Sequence, residues 1–360
     1  MPELDERIKR ALVEYVNAVN EADLNRSPEA LAQVGDEAHR WRLQRRTRAI
    51  RRRDAVSSSR PRRGEIRARV LRWNAGEKEA FVDLQLRIAR ACGTGEAVYA
   101  EERIERERIR LVPFGGEWRL DRAEPLGDER SSAALLGTGA EGAFGPGDEW
   151  PVAPSVPFIP TRDGYAAWQG TASGGVQAAP WANPYGGSPA RSGPYDREAA
   201  VAYAESWWDK ANPAYELFEV NCTNYVSQCL FAGGAPMNYT GKRESGWWYH
   251  GLSGGQERWS YSWAVANSLQ HFLSQPRPAG LRALRVERPE QLSPGDVICY
   301  DWDGNGQFRH NTIVTATDGD GMPLVNANTV PSRHRYWDYR DSYAWTENTR
   351  YRFYHVEAIF

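Results

Sequence analysis

Between about Leu126 and Pro194 the chain turns rich in Gly, Pro, Ala and Ser, as in Gly145-Pro146-Gly147, Pro151-Val152-Ala153-Pro154 and Gly186-Gly187-Ser188-Pro189. Such a stretch buries too little apolar surface to offset the entropy of ordering it, so it reads as a linker. The 360 residues also exceed what one hydrophobic core usually supports. The expected division is an N-terminal domain over residues 1–125, a linker over 126–194 and a C-terminal domain over 195–360. Trp150, Phe158, Tyr165, Trp168, Trp181 and Tyr185 recur along the linker, and rings of that size can pin a segment onto a neighbouring surface.

Each flank has its own periodicity. Leu4, Ile8, Leu12, Val16 and Val19 fall at helical spacing, which predicts an amphipathic helix over residues 3–20, and a second helical stretch runs from Pro28 to about Arg53. After Gly64 the period becomes two: Ile66, Ala68 and Val70, then Val82, Leu84, Leu86 and Ile88, alternate with polar residues. Another extended stretch covers 98–111, and Trp118-Arg119-Leu120 reads as a short last strand. Helices followed by long antiparallel strands give an α+β unit. Its order resembles the cystatin-like folds that serve as binding or dimerising modules, so a homo-oligomer formed through this domain is one expectation. In the C-terminal flank Asp196 is placed to cap a helix through about Lys210 and Asn221 a second helix through about Phe231. Strands are expected at 296–300, 309–316, 323–328, 333–339 and 351–360, with turns at Asp303-Gly304 and Asp318-Gly319-Asp320-Gly321. This too is α+β.

A formal net charge of −2 comes from nearly balanced acids and bases, so the chain is not a polycation built to neutralise phosphates, and no nucleic-acid partner is expected. The run of arginines from Arg40 to Arg53 reads as a solvated helix face paired with acids of the Glu101–Glu107 stretch. No apolar run approaches the roughly 18 residues of a membrane span, and residues 1–7 are charged where a secretory signal would be apolar. A chain complete at Met1 would be cytoplasmic, or carried by a partner to a cell wall or spore. Cys92, Cys222, Cys229 and Cys299 are too sparse for a disulfide scaffold and form no CxxC pair, so neither a metal nor another cofactor is expected. Asp301-Trp302-Asp303-Gly304-Asn305-Gly306 copies the start of a calcium loop, but Thr312 stands where the bidentate Glu belongs, and a hairpin turn is the reading.

A cysteine is a good nucleophile only as thiolate, and a free thiol of pKa about 8.5 is mostly protonated at neutral pH. Cys222 falls at the first turn of the helix after Asn221, where unpaired N–H groups favour an anion and can bind an oxyanion. Helical spacing puts Cys222, Val226 and Cys229 on one face, toward the sheet. There His310 opens a strand, and the following strand offers Asn326 and Asn328, either of which would fix the tautomer of the imidazole. Cys229 and Cys299 sit among apolar neighbours and read as core; His250, His271, His334 and His355 read as structural or surface groups. Asn221, Trp247 and Trp248 are expected to bind substrate, the tryptophans as part of an aromatic groove with Trp259 and Trp263.

The blocks Asn221–Leu230, Gly246-Trp247-Trp248-Tyr249, Pro294–Trp302 and Arg309–Val314 together resemble the bacterial putative amidase domain family, related to CHAP amidohydrolases and cell-wall cysteine peptidases, over about residues 195–360. The resemblance implies a papain-like fold with Cys222 as nucleophile and His310 as general base. It departs at Asn221, where the family has an acidic residue, and at Asn328, near which it has a His. The expected function is cysteine-dependent hydrolysis of an amide or peptide bond, with peptidoglycan-type peptides as the substrate that relatives suggest. The alternative is a catalytically inactive binding module that kept the fold and an aromatic groove.

Overall fold

Asp5 begins α1 (Glu6–Asn25) by accepting the Arg7 N–H at 2.8 Å, and the stripe Ile8, Leu12, Val16 and Val19 is buried as its spacing requires. The computed structural model describes residues 4–55, 57, 60–94, 97–127, 129–130, 194–253, 256–277 and 280–357. Most of the stretch read as a linker, with its six aromatic residues, lies outside the described residues. The second helical stretch is split. A 3-10 turn at Pro28–Gln33 is followed by α2 (Glu37–Asp54), because Gly35 runs so close to the Leu120 carbonyl oxygen that a Cβ would collide with it. Asp36 restarts the helix by accepting the His39 N–H at 3.0 Å, and it also takes the Ala123 N–H at 2.9 Å.

Four long antiparallel strands follow: β1 (Pro61–Ala75), β2 (Ala80–Thr94), β3 (Ala97–Phe114) and β4 (Glu117–Pro125). Their inner face meets the helices through Val82, Leu84, Leu86, Ile88, Ile109 and Leu111, all buried. The C-terminal part contributes α3 (Arg197–Trp207), α4 (Cys222–Ala232), the hairpin β5 (Tyr249–Ser253) and β6 (Gln256–Trp259), α5 (Tyr261–Ala264), α6 (Ala266–Ser274) and β7 (Ala283–Val286). It ends with β8 (Val297–Asp301), β9 (His310–Thr317), β10 (Pro323–Ala327), β11 (Ser332–Tyr336) and β12 (Arg350–Val356). The architecture is α+β with an antiparallel sheet, as expected. The hairpin, α5, α6 and β7 carry too few periodic residues to be read from sequence.

The two folded parts share one sheet. Among the described residues its order is β1-β2-β3-β11-β10-β9-β8-β12-β7, with β4 sharing with β11 the edge of β3 opposite β2. The join is short: Ser332 and Arg333 pair with Arg103 and Glu102, and the Ile104 N–H reaches the Pro331 carbonyl at 2.8 Å. Beside it lies a buried ion network. Alternation along β3 turns Glu101, Arg103, Glu105 and Glu107 inward. Arg103 pairs with Glu105 at 2.7 Å and with Asp341; Arg46 of α2 pairs with Glu105 at 3.1 Å and with Asp23 of α1 at 3.3 Å. The arginine run is therefore partly buried rather than wholly solvated. Asp301 accepts the N–H groups of Asp303, Gly304, Asn305 and Gly306, which commits its oxygens to a turn. Among the described residues no helix is long and apolar enough to cross a membrane, and no cluster of His, Cys, Asp and Glu has metal-binding geometry.

One buried cluster sets a pH dependence. Arg42 donates to His39 Nδ1 at 3.1 Å, His39 Nε2 meets the Tyr15 hydroxyl at 2.8 Å, and that hydroxyl donates to Glu107 at 2.6 Å. Burial, then Arg42, pulls His39 down to about 3, so the ring is neutral. Burial, reinforced by Glu105, raises Glu107 from 4.5 to about 7. Because the folded value lies above the unfolded one, the associated stability is complete below pH 4.5 and is lost as pH rises through about 7. Glu107→Gln keeps the acceptor without the charge. Its stability advantage over wild type should grow by on the order of 3 kcal/mol between about pH 5 and about pH 8, measured by urea denaturation; a constant gap between the two proteins would refute the assignment.

Candidate active site

Helix α4 is buried all round from Cys222 to Leu230, so every polar group on it needs a partner. Ser227 donates to the Trp263 carbonyl and accepts Trp247 Nε1; Asn224 donates to the Glu216 carbonyl and accepts Trp263 Nε1. This explains the tryptophan cluster and corrects one expectation. Trp247 and Trp248 are 0% and 1% exposed. The Trp247 ring packs 5.0 Å from Trp263, and Trp248 meets the edge of Tyr239 while donating to the Ser245 carbonyl. Trp247 is a core side chain that clamps α4 and Trp248 is buried away from it; neither lines an open groove.

The helix opens at Asn221, whose side chain holds the turn: its oxygen accepts from Asn224 Nδ2 at 2.9 Å and its nitrogen donates to Asn328 at 2.7 Å. The N–H groups of Asn221 and Cys222 both donate to the Thr329 hydroxyl, at 3.1 and 3.0 Å. Helix α4 packs on β9, which brings His310, the first residue of that strand, to the Cys222 thiol. Burial alone would push this thiol up. The His310 ring beside it, the Asn311 N–H and the Thr223 hydroxyl outweigh burial and hold it below its ordinary value. The other cysteines behave in the opposite way: burial pushes Cys92 up to about 12 and raises Cys229 and Cys299 further.

Three rings enclose His310: Tyr339, Tyr300 and Trp302, with centroids at 5.1, 5.4 and 5.8 Å. Neither ring nitrogen makes a hydrogen bond of good geometry among the described residues. The expected orienting asparagines are elsewhere. Asn328 donates to the carbonyls of Trp207 and Trp208, both at 2.9 Å, tying the end of α3 to the tip of α4 through Asn221. Asn326 donates to Glu205 and accepts from Thr315 and the His334 N–H. The carboxyl group nearest the imidazole is Glu129, with Oε1 3.9 Å from Nε2. It lies in the stretch whose composition signals a linker, and nothing in its local sequence marks it. Thr329 and Asn311 adjoin residues that were singled out, so they could have been found by extending those motifs by one position.

The thiol is 1% exposed and the imidazole 0%. A cavity of about 810 Å³ lies between the N-terminal sheet and the C-terminal part, lined by Arg72, Arg108, Glu129, Asn221, Thr329 and Arg335 among others. Asn221 and Thr329 bond the start of α4, and Glu129 adjoins His310, so the cavity ends one side chain away from the pair.

Residues 194–354 match the family described as a putative amidase domain. The chain is also similar to an uncharacterized protein of Bacillus subtilis (strain 168), YhbB, with 57% identity over 162 residues. That match takes in 45% of this chain and 50% of the relative, so the chain spans about half the length of the curated relative it matches. The resemblance carried by the blocks around Cys222 and His310 is thereby shown over residues 194–354, which are similar throughout to the putative amidase domain family.

Proposed function

We propose that the C-terminal part is a cysteine-dependent amidohydrolase of papain-like arrangement, acting on an amide bond of a peptide. The family match supports an amidase-type hydrolase of C–N bonds. The observation that carries the cysteine mechanism is the Cys222 thiol at the first turn of α4, next to the His310 imidazole and held below its ordinary pKa. His310 takes the thiol proton, and the thiolate attacks the carbonyl carbon. The carbonyl oxygen becomes an oxyanion that replaces the Thr329 hydroxyl as acceptor for the Cys222 N–H. The C–N bond then breaks as His310 returns its proton to the departing amine, leaving a thioester that water hydrolyses with His310 again as base. Loose pairing of the imidazole before substrate binds is common in free enzymes.

The cavity is the proposed substrate site. Its walls carry Arg72, Arg108 and Arg335 beside Asp83, Glu105 and Glu219, a mixture suited to a peptide bearing charges of both signs, of which a peptidoglycan stem peptide is one. For the N-terminal part, α1 packed against β1 and β4 supports a cystatin-like reading.

A second reading, a silent binding module, is favoured by the burial of both sulfur and imidazole. Iodoacetamide separates the two. The hydrolase reading expects Cys222 to be alkylated first, at least about tenfold faster than Cys92, Cys229 and Cys299 below neutral pH, because its thiol is held below the ordinary pKa and theirs above it. Uniformly slow labelling of all the cysteines would support the silent module. On peptidoglycan fragments, Cys222→Ser should lower amine release by about 10³-fold or more; unchanged release would end the cysteine mechanism. Asn328→Ala should cost about 1–2 kcal/mol of stability, seen in denaturation, while the Cys222 alkylation profile stays in place; a displaced profile would restore Asn328 to the imidazole.

A further inference from the structure

The histidine of a cysteine–histidine pair needs a partner on its far nitrogen, and the described residues of the C-terminal part supply none. Asn326 and Asn328 are committed to other groups, and both nitrogens of His310 are without a hydrogen bond among the described residues. We infer that Glu129, from outside the amidase domain, is the positioning residue of His310, so that the N-terminal half of the chain completes the active site. This rests on the hydrolase reading above.

Glu129 is 4% exposed and held from several sides. Its Oε1 accepts from Arg335 at 3.0 Å, its other oxygen accepts from Ser342, and its backbone carbonyl accepts Trp302 Nε1 at 2.9 Å. Trp302 also stacks on His310, so the residue that fixes the Glu129 backbone fixes the face of the imidazole as well. The next residue continues the attachment: Arg130 pairs with Asp303 at 3.1 Å and donates to the Ala344 carbonyl at 3.0 Å. Oε1 lies 3.9 Å from His310 Nε2, and a movement of about 1 Å brings the two within hydrogen-bond reach.

Burial holds the Glu129 carboxyl above its ordinary range, while Arg335 and the Ser342 hydroxyl act the other way and favour its ionised form. Arg335 is itself shared with Asp341 at 3.0 Å, so its positive charge is divided between two carboxylates. The other groups around the imidazole are the Cys222 thiol and the hydroxyls of Tyr300 and Tyr339. A carboxylate at Nε2 retains a proton there and leaves Nδ1 as the nitrogen that exchanges a proton with the thiol.

Two measurements on the full chain test this. In wild type, nitrogen-15 NMR of the histidine rings, with the His310 signals identified by their loss in His310→Gln, should show His310 as the Nε2–H tautomer whenever it is neutral. An Nδ1–H tautomer overturns the proposal and needs no folded Glu129 variant. In Glu129→Gln the pH profile of Cys222 alkylation should move up by about one unit, roughly tenfold slower at neutral pH, with the limiting rate at high pH unchanged. A Glu129→Gln profile that superimposes on wild type also overturns the proposal. Slow, unselective labelling of Cys222 in wild type would instead count against the hydrolase reading, and the tautomer would then decide the position of Glu129 by itself.

Discussion

A continuous series of buried charges runs through the middle of this molecule: Asp23, Arg46, Glu105, Arg103, Asp341, Arg335 and Glu129, each paired with the next. It begins on the N-terminal helices, crosses the inner face of β3, passes into the loop after β11 and stops 3.9 Å from the imidazole of His310. Such a network adds little net stability, since desolvating each charge consumes most of what pairing returns. Removing one member, however, leaves its partner buried and uncompensated, at a cost of about 3–5 kcal/mol. The network therefore works as a constraint on arrangement. Only one placement of β3 against β11 satisfies every member, and the short strand pairing at Arg103 and Ser332 would be a weak join without it.

That constraint gives the candidate site two sources of order. From within the C-terminal part, tryptophans bonded to Ser227 and Asn224 hold α4 so that Cys222 faces β9. From outside it, the segment ending in Glu129 and Arg130 is fastened to Arg335, Ser342, Trp302 and Asp303, behind the histidine. The environment sorts the four cysteines accordingly. At Cys92, Cys229 and Cys299 burial outweighs the groups that favour the thiolate, whereas at Cys222, equally buried, the His310 ring, the Asn311 N–H and the Thr223 hydroxyl outweigh it.

Local patterns in the sequence carried a good part of this. The stripe from Ile8 to Val19, the alternation along β1 and β2, Asp196 as a helix cap and the strands around His310 all follow from periodicity and capping, which act over a few residues. Cys222 at a helix tip and His310 at a strand start were local signals of the same kind. What escaped notice depends on distant chain. The tryptophans looked like a groove because size and aromaticity do not say whether Ser227 and Asn224 will bury them. Asn328 looked like a partner for the imidazole because strand alternation does not reveal the carbonyls of Trp207 and Trp208 below it. Glu129 lies at the start of a stretch whose composition signals a linker, and its neighbours in space, Arg335 and Ser342, are more than two hundred residues away.

The central claim is that His310 holds the Cys222 thiol below its ordinary pKa in the folded protein. Thiolate absorbance in the far ultraviolet tests it directly and does not depend on reagents reaching a buried sulfur. The thiolate signal in the difference between wild type and Cys222→Ser should appear at lower pH in the folded proteins than in the unfolded ones. Identical spectra of the two folded proteins would contradict the account.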